Sequence, residues 1–203
     1  MKIICIGRNY AAHAKELQHE LPEAPVFFLK PETALVRSNR PFFIPDFSRE
    51  LHYELELVLK ICKVGKYISP RFAHTYWDEV GLGIDFTARD LQRQQSEKGL
   101  PWEMAKAFDN SAPVSRFFPK SLYDFAKGVE FRLDLNGNTV QQGNSQDMIF
   151  SPEKIISYVS RFFTLKHGDL IFTGTPAGVG PVKIGDMLEA YLEGERVMWC
   201  RIK

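Results

Sequence analysis

The chain has 203 residues, of which 44% are hydrophobic and 25% charged, and its formal net charge is +1 at neutral pH. That length fits one domain with a sizeable core, and the near-zero charge argues against a broad electrostatic attraction to nucleic acid or to an anionic membrane. Cys5, Cys62 and Cys200 are odd in number and far apart, which argues against a disulfide framework or a structural zinc site and for free thiols in a reducing compartment. The apolar run before Arg8 is too short for a signal peptide and no run elsewhere could span a bilayer, so the expected setting is cytoplasmic.

Lys2 to Ile6 reads as a strand, Gly7-Arg8-Asn9-Tyr10 as a turn and Ala11 to Leu17 as a helix. His13 and Glu16 lie three apart on that helix and share a face. The spacing alone describes a solvated pair as readily as a His oriented by a carboxylate to deprotonate water. Gln18 to Pro25 is a polar loop with two prolines, fit for a lid hinge. Val26 to Leu29 is a short strand ending at Lys30-Pro31, where the lysine could snorkel to solvent.

His52-Tyr53-Glu54-Leu55-Glu56-Leu57-Val58-Leu59 reads as one strand on which the chain is centred, with His52, Glu54 and Glu56 on one face. An isolated Glu-x-Glu is more often an exposed polar face. If buried, the two carboxylates would repel and lose solvation, costs that a divalent cation removes. Ser69-Pro70 opens a helix expected through about Tyr76. Val80 to Phe86 reads as a buried strand whose only charge is Asp85, and Thr87 as the cap of a helix from Ala88 to Lys98 that carries Arg89 and Gln92. Asp85 at that junction suits a ligand or a structural cap.

Trp102 to Pro113 is irregular and contains Lys106; Gly128 to Leu135, Asn136-Gly137 and Asn138 to Gln142 form a hairpin. Ser151-Pro152 starts an amphipathic helix through Phe163, whose apolar stripe is core. Asp169 to Thr173 is a strand feeding Gly174-Thr175-Pro176-Ala177-Gly178-Val179-Gly180-Pro181, a Gly-rich loop that lacks the ending of a P-loop and could hold a carboxylate through Thr175 and its N–H groups. Asp186 to Ile202 is two strands joined near Gly194.

Three acids without cysteine or clustered histidine form an oxygen-only set suited to Mg²⁺, with Mn²⁺ or Ca²⁺ as alternatives. Lys30, Lys106, Arg89 and Thr175 are donors for an anionic substrate and His13 with Glu16 supplies a base. Metal, anion clamp and base together suit carbon–carbon chemistry beside a 2-oxo acid.

Six segments then carry a resemblance: Gly-Arg-Asn-Tyr at 7–10 with His13 and Glu16, Phe-Phe-Leu-Lys-Pro at 27–31, Tyr-Glu-Leu-Glu-Leu at 53–57, Asp-Phe-Thr-Ala-Arg-Asp-Leu-Gln at 85–92, Lys-Ala-Phe-Asp at 106–109 and Gly-Thr-Pro-Ala-Gly-Val-Gly at 174–180. In this order the set resembles the fumarylacetoacetate hydrolase family, in its small acylpyruvase and oxaloacetate decarboxylase branch. The resemblance implies an α+β, β-rich fold of packed mixed and antiparallel sheets with a few short helices. It implies a single catalytic domain over 1–203, with about 9–25 a mobile lid, and a homodimer that binds neither nucleic acid nor membrane. It implies Mg²⁺ on Glu54, Glu56 and Asp85, catalysis by His13, Glu16 and Lys106, and substrate contacts from Arg8, Lys30, Arg89, Gln92 and Thr175. The implied activity is C–C cleavage of acylpyruvates or decarboxylation of oxaloacetate through a metal-bound pyruvate enolate. The alternatives are an isomerase or decarboxylase of the same family acting on unsaturated hydroxy-diacids, and a non-catalytic metal-stabilised binding protein. Ala107 stands where the branch often has Gly, and the expectation is a chain without the N-terminal domain of longer relatives.

Overall fold

In the computed structural model, which describes residues 1–16, 20–37 and 39–203, three sheets wrap one main core and carry only short helices. The large sheet is mixed. Its middle is made by Ile3–Gly7, Leu170–Phe172, Leu55–Ile61 and Trp77–Ile84 in that order, the first two parallel and the others antiparallel. These strands are almost continuously buried, which is why they read as apolar runs rather than as alternating ones. Val26–Lys30 lines one flank, and Ala112–Val114 and Leu35–Arg37 the other. A four-stranded antiparallel sheet, ordered Asn138–Asn144, Glu130–Leu135, Met187–Leu192 and Glu195–Arg201, packs onto the same core. Its first hairpin turns at Asn136 and Gly137, both at positive φ, as a two-residue turn between right-twisted strands requires.

The expected single strand over His52–Leu59 is two strands in two sheets. Leu51–Tyr53 pairs with Thr87–Ala88 and Gly180–Pro181 in a small three-stranded sheet, whereas Leu55–Ile61 belongs to the large one. Glu54 occupies the junction, and the N–H of Leu55 is taken by the side chain of Gln141 at 2.9 Å. The register continues across the break. Leu55 pairs with Ile84, so Glu54 stands opposite Asp85 and its carbonyl accepts from the Asp85 N–H at 2.8 Å. Glu56 stands opposite Gly83, where a Cβ would fall 2.5 Å from the Phe172 ring and 2.8 Å from Val58.

Other expectations shift at their ends. The first helix is Ala11–Glu16; Leu17 and Gln18, expected as its end and the start of the next loop, lie outside the described residues. The helix after Ser69 stops at Ala73, and the one after Ser151 at Val159. Thr87 does not cap the helix Arg89–Glu97. It lies in a two-residue strand, its hydroxyl donating to Asp85 O at 3.1 Å and accepting from Lys106 Nζ at 2.6 Å. The irregular stretch contains a one-turn helix, Glu103–Lys106, whose last residue is thereby turned toward the carboxylates. No described helix is long and apolar enough to cross a membrane. The three cysteines are free thiols.

Candidate metal centre and active site

Glu54, Glu56 and Asp85 are at most 5% exposed, and one carboxylate oxygen from each lies within 4.8 Å of the others. Cation–oxygen bonds of about 2.0–2.6 Å span that separation, so one Mg²⁺, Mn²⁺ or Ca²⁺ fits the donor set. The surroundings of each acid differ. Glu54 accepts from Arg89 Nη2 at 2.5 Å and from Lys106 Nζ at 2.8 Å. Burial works against its charge, but Lys106 and then Arg89 outweigh it and hold the carboxyl well below the usual range. Glu56 accepts from the N–H of Gly174 at 2.6 Å. Burial raises its pKa, and repulsion from Asp85 and Glu54 adds to the rise. Asp85 Oδ2 accepts from Lys106 at 2.8 Å. Its Oδ1 lies 2.8 Å from Lys30 Nζ at angles outside those of a hydrogen bond, which leaves a buried acceptor without one. A dication between the three would satisfy that oxygen and offset the repulsion at Glu56.

Lys106 is 2% exposed, and its ammonium is tied to Glu54, Asp85 and Thr87. Burial disfavours its charge, yet Asp85 and Glu54 raise its pKa above the ordinary lysine value, so it is cationic at neutral pH. Arg89 divides its guanidinium among Glu54, Gln92 Oε1 at 2.5 Å and His52 Nδ1 at 3.4 Å. His52 in turn meets Glu50 through Nε2 at 3.0 Å.

The three acids, Lys106, Arg89, Gln92 and His52 line a cavity of about 370 Å³ together with Arg8, His13, Glu16 and Thr175, and Ile6, Phe28, Trp102 and Val179 supply its apolar wall. Arg8 holds φ +59, a left-handed backbone rare for arginine, and its buried Nε has no partner among the described residues. His13 Nδ1 meets Glu16 Oε2 at 3.1 Å, and the Glu16 carboxylate accepts from the N–H of Gly178 at 3.1 and 3.3 Å. The Gly-rich loop therefore braces the pair. Gly178 is at φ +98, and a Cβ there would fall 2.1 Å from Val140 O, so only glycine brings this N–H to Glu16.

Of the residues expected at the site, all line the cavity except Lys30. Lys30 is 2% exposed against Asp85 and donates to Ser111 Oγ at 2.9 Å and to the carbonyls of Lys106 and Ser111, a position that supports Asp85. At the start of the expected lid, Asn9 is wholly buried and fixed to Phe150 N and O and to Thr173 O, so it belongs to the rigid frame. Sequence reasoning missed Gln141, Phe28 and Trp102. The aromatic pair reads as ordinary core, and Gln141 sits in a hairpin strand beside a second glutamine with nothing to distinguish it.

Residues 2–202 match the fumarylacetoacetate (FAA) hydrolase C-terminal family. The chain is 45% identical over 201 residues to the mitochondrial oxaloacetate tautomerase FAHD1 of Bos taurus, covering 99% of this chain and 91% of that protein. It is 42% identical over 194 residues to the mitochondrial oxaloacetate decarboxylase of Dictyostelium discoideum, covering 95% and 89%. Its fold superimposes on the crystal structure of fumarylpyruvate hydrolase from Pseudomonas aeruginosa in complex with Mn²⁺ and pyruvate with a TM-score of 0.94 at 38% identity, covering all of this chain and 89% of the other. With the β-rich α+β architecture, the acidic cluster and the matched motifs all in place, this chain belongs to the fumarylacetoacetate hydrolase family of enzymes.

Proposed function

We propose that this protein acts on small 2-oxo acids of the oxaloacetate and acylpyruvate type, with Mg²⁺ held by Glu54, Glu56 and Asp85. The observation that carries the reading is the meeting of three buried carboxylates, a cationic Lys106 and a His13–Glu16 pair in one cavity. Charge balance supports it. Lys30, Lys106 and Arg89 already match the three acids, so a dication adds a net double positive charge, which a dianionic 2-oxo diacid would neutralise in a low-dielectric site.

When bound, the cation supplies Lewis-acid polarisation of the 2-oxo group. The protein's own groups do the rest. Arg8 and Thr175 donate to the substrate carboxylate, with Arg89 and Gln92 on the adjoining wall. In hydrolysis, His13, oriented by Glu16, takes a proton from water as its oxygen bonds to the distal carbonyl carbon. The bond from that carbon to carbon 3 breaks, and its electron pair forms the pyruvate enolate. In decarboxylation the carboxylate on carbon 3 leaves as CO₂ and gives the same enolate. Tautomerisation, the activity named for the bovine relative, moves a proton between carbon 3 and the 2-oxygen and breaks no carbon–carbon bond. Lys106 stabilises the negative charge common to the three.

Steady-state assays with oxaloacetate, acetylpyruvate and a hydroxymuconate-type diacid, each with and without chelator, test the reading. Turnover of one of the first two that chelator abolishes is expected. No turnover of either with Mg²⁺, or turnover indifferent to chelator, overturns it. The homodimer that the resemblance implies is tested by light scattering on the eluting protein.

A further inference from the structure

We infer that Gln141 is a positioning residue that fixes the direction of the Thr175 hydroxyl, turning it into a hydrogen-bond donor aimed at the substrate; the inference rests on the substrate-binding reading of Thr175 given above. Gln141 is 1% exposed and comes from the four-stranded sheet, outside the strands that carry the acids. Its Oε1 accepts from Leu55 N at 2.9 Å, between the two glutamates, and its Nε2 donates to Thr175 Oγ1 at 2.8 Å and to Pro176 O at 2.9 Å.

The orientation of this amide is chemically forced. A backbone N–H only donates, so the oxygen faces Leu55; a backbone carbonyl only accepts, so the nitrogen faces Pro176. Both amide protons are thereby committed, one of them to Thr175 Oγ1. That oxygen accepts from Gln141, and its own proton must point elsewhere. Among the described residues Thr175 Oγ1 donates to no protein group, and the side chain is 3% exposed on the cavity wall. The remaining direction is the cavity, where an acceptor such as a 2-oxo acid carboxylate would receive it. Gln141 thus removes the choice of hydroxyl rotamer before the substrate arrives, so a donor is already aimed when the ligand binds.

The test is a double-mutant cycle read by pyruvate binding to the Mn²⁺-loaded protein, with Mn²⁺ affinity measured separately by water-proton relaxation. Thr175→Val removes the hydroxyl at constant shape, and Gln141→Met removes the amide at similar volume. Each single change is expected to weaken pyruvate binding by about 10- to 100-fold, the range a lost hydrogen bond to a charged group produces. The double variant is expected to bind no more weakly than Thr175→Val, because Gln141 has no hydroxyl left to aim. Gln141→Met is expected to keep the Mn²⁺ affinity of the parent. Additive losses, or equal loss of pyruvate and Mn²⁺ affinity, mean that Gln141 merely supports the fold, and they overturn the inference while leaving the substrate reading intact. Parent protein that takes up Mn²⁺ but no pyruvate overturns both. Where Gln141→Met fails to fold, Gln141→Glu serves: its carboxylate accepts from Thr175 and reverses the hydroxyl, so pyruvate binding as tight as the parent's contradicts the inference.

Discussion

Lys30 Nζ lies 2.8 Å from Asp85 Oδ1, joining a lysine that does not line the cavity to a carboxylate that does. The pair is fully desolvated, and the lysine also donates to Ser111 and to the backbone carbonyls of Phe86 and Lys106. Lys30 therefore joins the strand Val26–Lys30 to the segments that carry Asp85 and Lys106.

Removing one member of a buried ion pair leaves the other as an uncompensated charge, at a cost of about 3–5 kcal/mol. Lys30→Met is expected to lower the unfolding free energy from urea titration by up to about that amount, Asp85 keeping Lys106 as a second partner, and to lower metal affinity through misplacement of Asp85. A variant as stable as the parent, whose only change is a raised KM, would return Lys30 to the substrate wall.

Glu56→Gln is expected to separate stability from metal binding. Glutamine retains an acceptor for Gly174 N–H and removes a buried charge that Asp85 and Glu54 repel. Without metal, the variant should be as stable as the parent or more so. With metal at about 100 times its dissociation constant the parent should gain about 2.7 kcal/mol. The variant should gain little, having lost an anionic ligand. Calorimetric unfolding with and without Mg²⁺ decides the point, and equal gains would remove Glu56 from the metal site.

Much of this site was legible because its parts follow short-range rules. Glu54 and Glu56 share a face by strand periodicity, Asp85 is the single charge in an apolar run, and His13 and Glu16 are one helical step apart. What stayed hidden depends on partners distant in sequence. Beside the break at Glu54, the Leu55 N–H is held by Gln141, 86 residues away. Thr87 fits a capping pattern, but Lys106 and the Asp85 carbonyl claim its hydroxyl. Lys30 fits a strand-end lysine that reaches solvent, until Asp85 and Ser111 draw it inward.

A pH-dependent contribution should arise at Asp90. Its carboxylate accepts from Ser48 Oγ at 2.7 Å, Arg49 N at 2.9 Å and Leu91 N at 2.9 Å, tying the start of the Arg89 helix to the segment before Leu51. Burial opposes the charge, but these bonds prevail and hold the carboxyl below its ordinary value. A depressed pKa in the folded state contributes stability above the unfolded value of about 3.9, and this is lost as pH falls through the lower folded value. Asp90→Asn is expected to cost about 1 kcal/mol at pH 7. The gap to the parent should narrow once pH drops below about 4. Urea midpoints of both proteins from pH 7 to pH 3.5 read it directly; a gap constant over that range would show that the charge at Asp90 contributes nothing.

The proposed activities should part company at His13. Hydrolysis of an acylpyruvate needs a base to prepare the attacking water, a contribution of typically about 10²–10⁴-fold. Decarboxylation of oxaloacetate needs no attacking water, because the departing CO₂ leaves its bonding electrons behind. His13→Ala is expected to lose acetylpyruvate hydrolysis by about that factor while oxaloacetate decarboxylation falls less. Glu16→Ala should resemble a milder His13→Ala, since it removes the orienting group held by Gly178 and not the base itself. Lys106→Ala should damage both reactions, because both develop negative charge beside its ammonium. It should also cost stability, since Glu54 and Asp85 lose a shared partner, so kinetics are to be compared on protein shown to be folded and metal-loaded. Hydrolysis that survives in His13→Ala would remove His13 as the base. A folded Lys106→Ala that spares either reaction would remove Lys106 as the group stabilising the enolate, whatever becomes of the metal site.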